Sequence, residues 1–215
     1  MKYGVIIIGA GVIGSMAARE LTRYGVSVCV LEMAHDVGCG ASRANSGIVH
    51  GGYDPEPHTL KARLNAVGVE MLFSAADELN VHYKRNGSLV CAFSVEEEKH
   101  LKMLLERGRE NGIDGLAIIS GNEARAIEPM LSSDITAALH VKNAGIICPY
   151  ELNIAAMGNA MDNGAELYTE FEVCSVTKDG DVFTVSASDG RSVKGAMPSK
   201  LSWGWKSAGM ASGCL

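Results

Sequence analysis

The sequence predicts an α/β fold in which a Rossmann-like dinucleotide-binding unit is completed by a β-meander. Three observations predict it: an apolar run that leads into a G-x-G-x-x-G motif, a second apolar run that ends at Glu32, and a later segment with two Asp-Gly pairs. The first two describe a strand, a phosphate-binding turn, a helix and a second parallel strand. The pairs Asp179-Gly180 and Asp189-Gly190 are strong signals for β-hairpins.

The first strand–helix–strand unit follows from its residue types. Residues 5–8 are a short, mostly β-branched run, as expected of a strand buried on both faces. Gly9 permits a tight turn, Gly11 lets the backbone approach a pyrophosphate, and Gly14 lets the helix pack closely on the strand. The helix is predicted over about 12–24, and its N-terminus offers free N–H groups to phosphates.

The second strand is predicted over residues 26–31, and Glu32 closes it. A carboxylate at this distance from the glycines can accept hydrogen bonds from ribose hydroxyls. The alternative interpretation is a glycine-rich turn in some other α/β fold.

Composition excludes several classes of function. The chain has 215 residues, is 47% hydrophobic and 20% charged, and carries a net charge of −6. These values are typical of a globular protein, and the absence of a basic block argues against nucleic-acid binding. No apolar run approaches the length of a membrane span, and the residues before the first strand show no basic leader or small-residue cleavage site, so we expect no secretory signal. The six cysteines are scattered without C-x-x-C, so we expect reduced thiols, a cytoplasmic location and no metal site.

The middle of the chain alternates helices and strands. A helix is predicted over 59–79, a strand over 83–93 with a bend at Gly87, and a helix from Ser94 to about 111. The apolar face of the first of these helices is predicted to comprise Leu60, Leu64, Val67, Met71, Leu72 and Leu79. Further elements are predicted in chain order: a strand at 117–120, a helix at 121–127, strands at 137–141 and 145–148, a helix at 150–163, and strands at 166–169, 172–178, 182–188 and 191–194.

The segment from Gly38 to Tyr53 points to the cofactor. It contains five glycines together with small polar residues, and such a run can lay backbone amides along an extended ligand. A cofactor with a large ring system needs this second contact region, whereas an ordinary NAD domain proceeds to a plain crossover helix. The segment therefore favours FAD, with NAD as the alternative.

Four stretches carry a resemblance to a known family: Asn45-Ser-Gly-Ile-Val-His-Gly-Gly-Tyr53, Pro57-His-Thr-Leu-Lys-Ala-Arg-Leu64, Asn86-Gly-Ser-Leu-Val-Cys-Ala-Phe93 and Ala144-Gly-Ile-Ile-Cys-Pro-Tyr-Glu151. Over about residues 3–195 the chain resembles the FAD-dependent oxidoreductases of the D-amino-acid oxidase / glycerol-3-phosphate dehydrogenase superfamily. The most similar branches are the L-2-hydroxyglutarate dehydrogenase-like proteins and the anaerobic-type glycerol-3-phosphate dehydrogenases.

The resemblance implies a set of cofactor contacts. Glu32 would hold the adenosine ribose, and Val173 would meet the adenine edge through its backbone. The FAD pyrophosphate would be bound by Gly9, Ala10, Gly11, Val12, Ile13 and Gly14. The remaining pyrophosphate, ribityl and flavin contacts would come from Ser42, Asn45, Ser46 and Gly47.

The resemblance also implies a reaction. A small hydroxy compound, such as glycerol 3-phosphate or a 2-hydroxy acid, would give a hydride to flavin N5, and a nearby base would take the hydroxyl proton. His50 and Tyr53 would sit near the flavin or the substrate, and His50 is the best candidate for the base because an imidazole titrates near neutral pH. The alternative is that His50 only hydrogen-bonds its loop. Lys61 and Arg63 could attract an anionic substrate or could be solvated surface cations, and the electron acceptor stays open.

The βαβ start, the inserted helices and strands and the Asp-Gly hairpins predict two domains. Residues 1–80 and 145–195 would form a discontinuous FAD-binding domain, and residues 81–144 a partial α+β substrate domain. The family's chains are longer and return to the flavin domain through an apolar strand that ends in Ala-Gly, whereas residues 196–215 here form an atypical tail without a clear period. We therefore expect a central strand to be lost, and a truncated, non-catalytic FAD-binding fragment is the alternative to an active dehydrogenase.

Overall fold

The computed structural model describes residues 2–200, and these form two compact units. One unit comprises the described residues up to Ser46 and from Pro149 onward, and the other spans Gly47–Cys148. Residues 47–80 and 145–148, which the sequence analysis assigns to the FAD-binding domain, belong here to the second unit. The reason is local, because Ile146 pairs antiparallel both with Ile48 and with Lys84, which lies in the predicted substrate domain. The assignment of FAD binding to one part of the chain and of substrate binding to the other stays a prediction.

The discontinuous unit contains one six-stranded sheet and two helices. Its elements, numbered along the whole chain, are β1 (Lys2–Ile8), α1 (Val12–Thr22), β2 (Val28–Leu31), a 3₁₀ turn (Ala41–Arg43), α5 (Pro149–Asp162), β9 (Glu166–Tyr168), β10 (Val173–Asp179), β11 (Val182–Ala187) and β12 (Ser192–Lys200). The strand order is β10-β11-β12-β1-β2-β9. The four strands from β12 to β9 are parallel, and β10 to β12 form an antiparallel meander. This confirms the predicted α/β fold.

The meander has the predicted Asp-Gly turns. Gly180 and Gly190 have φ angles of +56° and +90°, a region of backbone conformation that glycine adopts without steric cost. Both predicted hairpins are therefore confirmed.

Successive side chains of each strand point to opposite faces of the sheet. Ile7, Val28 and Val30 pack with Ala18 of α1 and Met157 of α5. The opposite side chains, Ile6, Ile8, Cys29 and Leu31, join a second cluster with residues of the meander. Both faces of β1 are thus buried, which explains its uninterrupted apolar sequence.

Strand β12 differs from our expectation that the central strand is lost after Lys194. It continues to Lys200 and pairs parallel with β1 from Lys2↔Lys194 to Ile8↔Lys200. Gly195 serves this pairing, because a Cβ there would lie 2.8 Å from the Ile6 side chain. Pro198 fits because β12 pairs with β11 only as far as Gly195, and a proline is tolerated where a strand lacks one neighbour. Residues 201–215 of the predicted tail lie outside the described residues.

The second unit contains two three-stranded sheets and three helices. Its elements are β3 (Ile48–Val49), α2 (Leu60–Glu78), β4 (Tyr83–Lys84), β5 (Ser88–Ala92), α3 (Val95–Glu110), β6 (Leu116–Ser120), α4 (Gly121–Ile127), β7 (Ala137–Val141) and β8 (Gly145–Ile147). The sheets have the orders β3-β8-β4 and β5-β7-β6. The bend predicted at Gly87, whose φ is +71°, separates β4 and β5 into different sheets.

The predicted apolar face of α2 is wrong. Leu60, Leu64, Val67 and Met71 are 57–66% exposed, whereas the buried residues of the helix are Ala62, Val69, Phe73, Ala75 and Ala76. The error has a physical reason. The helix carries apolar residues on two opposite faces, and periodicity alone cannot tell which of them is buried.

Candidate functional site

The glycine-rich turn after β1 is tight. Gly9 has a φ of +105°, and its N–H donates to the Leu31 carbonyl at 2.8 Å. A Cβ on Gly14 would lie only 2.0 Å from the Gly9 carbonyl oxygen. Both glycines are therefore required for α1 to begin this close to β1, as the sequence predicts.

The N-terminus of α1 is arranged to accept an anion. Its N-cap residue, Gly11, provides no side-chain cap, and the first turn contains no acidic residue. The Val12 N–H donates to Ser42 Oγ at 2.9 Å. Asn45 fixes the turn that carries Ser42, because its Nδ2 donates to the carbonyls of Ala41 and Ser42 at 3.0 and 3.1 Å. The structure thus brings Ser42 and Asn45 to the glycine loop.

Glu32 lies beside the same loop. Its Oε2 accepts a hydrogen bond from the Ala10 N–H at 2.7 Å, and its Oε1 accepts one from the Ala34 N–H at 2.9 Å. A carboxylate has about four acceptor positions, so both oxygens retain capacity for hydroxyl donors. The predicted acid and the predicted glycine motif therefore form one cluster.

Asn153 of α5 is a site residue that sequence reasoning missed. Its side chain is fully buried, and its Nδ2 donates to the Ala10 carbonyl at 3.1 Å. The Gly38 N–H donates to the same carbonyl at 3.0 Å. Among the described residues, Asn153 Oδ1 has no hydrogen-bond partner. A single asparagine in a helical segment carries no sequence signal for this contact.

Of the other residues predicted to bind the cofactor, Ile13, Ser46 and Val173 belong to the same unit as this cluster, whereas Gly47 does not. Ile13, in the first turn of α1, is 57% exposed, and Ser46 is exposed. Val173 is buried at the start of β10, two residues after Phe171, whose N–H donates to the Glu32 carbonyl at 2.8 Å. Gly47 belongs to the second unit, where its carbonyl accepts from the Ile147 N–H at 2.9 Å.

In the second unit, His50 and Tyr53 line one cavity of about 100 Å³, together with Gly52, Asp54, Pro55, Lys61 and Asn65. The predicted catalytic pair is therefore brought together. Two asparagines hold the intervening turn. Asn143 Nδ2 donates to the Gly51 carbonyl at 3.1 Å, and Asn111 Nδ2 donates to the carbonyls of Gly52 and Pro55 at 3.1 and 2.8 Å.

The turn between His50 and Tyr53 requires its glycines. A Cβ on Gly51 would lie 2.3 Å from Val141 Cγ1, and one on Gly52 would lie 2.6 Å from Ile113 Cδ1. Gly52 also has a φ of +81°. The pair of glycines therefore lets the turn pack against Val141 of β7 and against Ile113, which follows α3, while His50 and Tyr53 line one cavity.

Tyr53 is held in its neutral form. Burial raises the pKa of its hydroxyl, and the negative charge of Asp54 raises it further. The phenol therefore stays protonated at neutral pH and can donate a hydrogen bond. His50 is exposed.

A larger cavity of about 420 Å³ lies at the start of α2 and includes His58, Thr59, Arg63, Glu110 and Asn111. Two of these residues already pair with each other, because His58 Nε2 lies 2.9 Å from Glu110 Oε1. Over residues 2–200 there is no group of three or more His, Cys, Asp or Glu side chains placed to hold a metal ion. Within the same range, no helix is both long and apolar enough to cross a membrane.

The cluster around Ala10 fits a dinucleotide. The glycine turn leaves no room for side chains against the strand, the N-cap residue Gly11 provides no cap of its own, and the Glu32 carboxylate accepts a hydrogen bond from the loop. These are the features that bind a pyrophosphate and a ribose.

Comparison with known proteins decides the family. The model of the family described as "FAD dependent oxidoreductase" matches residues 4–197. The chain belongs to this family. FAD, rather than NAD, is the cofactor of this family, which confirms the expectation from the Gly38–Tyr53 segment.

Two curated proteins are similar to most of this chain. Glycerol 3-phosphate dehydrogenase from Caloramator mitchellensis is 44% identical over 176 residues, which cover 82% of this chain and 37% of that protein. The mitochondrial L-2-hydroxyglutarate dehydrogenase of Pongo abelii is 30% identical, with 80% and 41% covered.

A solved structure has the same fold over most of this chain. L-α-glycerophosphate oxidase from Mycoplasma pneumoniae, with FAD bound, matches with a TM-score of 0.85 at 28% identity, over 92% of this chain and 53% of that chain. The chain thus spans about two fifths of the length of the two curated relatives and about half of the solved one.

Proposed function

We propose that this chain is the FAD-binding part of an oxidoreductase that oxidises a small hydroxy compound, such as glycerol 3-phosphate or a 2-hydroxy acid. The observation that carries the proposal is the Glu32 carboxylate hydrogen-bonded to the Ala10 amide, directly beside the start of α1, whose N-cap residue Gly11 provides no side-chain cap. The relatives named for glycerol 3-phosphate and L-2-hydroxyglutarate support the substrate class.

The proposed cofactor contacts follow the chemistry of each group. Gly9, Ala10, Gly11, Val12, Ile13 and Gly14 would bind the pyrophosphate, because the helix start offers N–H groups and a positive dipole end. Glu32 would accept hydrogen bonds from the adenosine ribose. Val173 would contact the adenine edge through its backbone. The ribityl chain and the flavin would be contacted by Ser42, Asn45, Ser46 and Gly47.

The proposed chemistry divides between cofactor and protein. Bound FAD supplies a hydride acceptor. His50 accepts the proton of the substrate hydroxyl, since a neutral imidazole is a competent base near neutral pH. Tyr53, which is protonated, donates a hydrogen bond to a substrate oxygen. The rigid turn of Gly51 and Gly52 keeps these two side chains on one cavity and so orients the substrate between them.

The location and the partners belong to the same proposal. We place the protein in the cytoplasm, and this is supported by the five cysteines of the described residues, all of which are free thiols. The substrate is a small molecule, and the electron acceptor is left open.

The experiment combines FAD binding with turnover. The purified chain is titrated with FAD and then assayed with glycerol 3-phosphate and L-2-hydroxyglutarate, using an artificial electron acceptor. The proposal expects yellow protein and turnover, with His50→Gln losing turnover but not FAD, and the exposed His82→Gln unchanged. FAD binding without turnover of either substrate would instead support the non-catalytic fragment, and the absence of FAD binding would overturn the proposal.

A further inference from the structure

The segment that carries the Glu32 carboxylate is held by a turn between β9 and β10. The two carboxylate oxygens accept hydrogen bonds from the Ala10 and Ala34 N–H groups. The Ala34 carbonyl in turn accepts from the Glu170 N–H at 2.9 Å, and the Glu32 carbonyl accepts from the Phe171 N–H at 2.8 Å. The position of the carboxylate therefore depends on the conformation of the turn at Glu170 and Phe171.

Glu170 has a backbone conformation that a glutamate rarely adopts. Its φ angle is +52°, in the left-handed region where Cβ approaches the following carbonyl oxygen too closely. Consecutive N–H groups of an extended strand point to opposite sides, whereas a left-handed residue lets successive amides converge. The N–H groups of Glu170 and Phe171 can therefore donate to the same segment. Such an unfavourable conformation persists only where surrounding contacts hold it.

Arg191 contributes contacts that hold this turn. Its Nη2 donates to the Glu170 carbonyl, and its guanidinium lies 5.0 Å from the centroid of the buried Phe171 ring. Asp189 fixes Arg191, because its Oδ2 accepts from Arg191 Nε at 2.6 Å and its Oδ1 accepts from the Arg191 N–H at 3.0 Å. One side chain thus contacts both residues whose N–H groups hold the segment of Glu32.

We propose that Arg191 is a positioning residue for the ribose-binding carboxylate of Glu32. It acts through the turn at Glu170 and Phe171, and not by contact with the nucleotide. Without the guanidinium, the Glu170 carbonyl loses a charged donor and the turn relaxes from its left-handed conformation. The Ala34 N–H then shifts away from Glu32 Oε1. This inference rests on the proposed function, which assigns the adenosine ribose to Glu32.

The contacts of Arg191 contribute little to folding itself. Its side chain is 44% exposed and that of Asp189 is 48% exposed, and ion pairs at such positions stabilise a protein only weakly. A variant of Arg191 should therefore fold, so that its effect on nucleotide binding can be measured.

Two nucleotides distinguish positioning of Glu32 from a general effect on the binding site. ADP has the ribose 2′-hydroxyl to which a carboxylate at this position can bind, and 2′-deoxy-ADP lacks it. The full chain is titrated with each nucleotide by calorimetry, and the ratio of the two dissociation constants reports the contact with Glu32. We expect the unmodified chain to bind ADP at least about tenfold more tightly than 2′-deoxy-ADP.

Matched variants assign the effect to Arg191. Arg191→Met should lower the preference for ADP about threefold and leave the affinity for 2′-deoxy-ADP unchanged. Lys178→Met is the control, because the Lys178 ammonium group lies 5.2 Å from the ring centroid of Phe183 in the same meander; it should keep the original preference. In a Glu32→Ala background, Arg191→Met should not change ADP affinity, because the group that it positions is gone.

Three outcomes for the variants would overturn the inference: an equal preference for ADP in Arg191→Met and Lys178→Met, equal weakening of both nucleotides by Arg191→Met, or a further loss of ADP affinity when Arg191→Met is added to Glu32→Ala. Absence of ADP binding, or equal binding of the two nucleotides, in the unmodified chain would overturn it together with the ribose contact of Glu32. The turnover assay tests the rest of the proposed function separately, because nucleotide binding is measured without substrate.

Discussion

Asn153 and Ala10 are joined by a hydrogen bond of 3.1 Å between the asparagine Nδ2 and the alanine carbonyl, across 143 positions of sequence. The bond ties α5 to the loop that begins α1. The same carbonyl accepts from the Gly38 N–H at 3.0 Å, so one backbone group of the loop is fixed from two sides. The loop therefore keeps its shape through residues outside the glycine motif.

The first prediction concerns this bond. Asn153→Leu, which preserves the size of the side chain, should lower the free energy of unfolding by about 1–3 kcal/mol and weaken FAD binding, because the Ala10 carbonyl loses a buried donor. Urea unfolding and FAD titration measure the two effects. Asn159→Leu, on the same helix but half-buried, is the control. Equal behaviour of the two variants would contradict the role of Asn153.

The second prediction compares two helical glycines. Gly14→Ala should prevent FAD binding and destabilise the chain, because its Cβ would lie 2.0 Å from the Gly9 carbonyl oxygen. Gly158→Ala in α5 meets nothing within 4 Å and should stabilise the chain by about 0.5–1 kcal/mol through helix propensity. Thermal unfolding and FAD titration of both variants provide the comparison. Full FAD binding by Gly14→Ala would refute the close contact.

The third prediction concerns the two faces of α2. Phe73 is fully buried, contacts the Tyr83 ring at 4.8 Å between centroids, and has the Arg85 guanidinium 4.0 Å from its own ring centroid. Phe73→Ala should cost about 3–5 kcal/mol of unfolding free energy. Leu64→Ala, at a position that is 58% exposed, should change it by about 0.5 kcal/mol or less. A larger loss of unfolding free energy for Leu64→Ala than for Phe73→Ala, measured by urea unfolding, would instead support the buried face that the sequence predicts.

The fourth prediction concerns alkaline pH. Burial, followed by the charge of Glu166, raises the pKa of the Cys29 thiol to about 12. The unfolded chain loses this proton at a lower pH, so the native state binds more protons and its stability falls as pH rises from the ordinary thiol value towards 12.

The slope from this one group reaches about 1.4 kcal/mol per pH unit. Unfolding free energies measured between pH 9 and 10 should fall less steeply in Cys29→Ala than in the unmodified chain, because the tyrosines with raised pKa contribute equally to both slopes. Cys174→Ala, at an exposed position, should keep the original slope. A slope in Cys29→Ala as steep as that of the unmodified chain would count against this assignment.

The βαβ unit, its glycine turn and the position of Glu32 beside that turn could be predicted because each rests on a local rule. Gly9 and Gly14 are dictated by the turn, and Glu32 by its position at the end of a strand, so sequence spacing was sufficient. The Asp-Gly hairpins were predictable for the same reason, since a two-residue signal determines the turn.

Other features depended on tertiary contacts that have no local signature. Asn153 reaches Ala10 across 143 positions, and the buried face of α2 is decided by what packs against Phe73. The strand predicted over residues 191–194 stops short of Gly195, yet Gly195 lies within a pair of parallel strands, where a Cβ would lie 2.8 Å from the Ile6 side chain. Neither periodicity nor composition contains this information.

The most direct test of the central claim is the titration of the purified chain with FAD and with NAD, repeated for Glu32→Ala and for Glu20→Ala, an exposed control on α1. The account predicts binding of FAD but not of NAD, a loss of about 1.5–3 kcal/mol in FAD binding for Glu32→Ala from the missing ribose hydrogen bonds, and no loss for Glu20→Ala. Tight binding of NAD without FAD, or equal FAD affinity of the two variants, would contradict it.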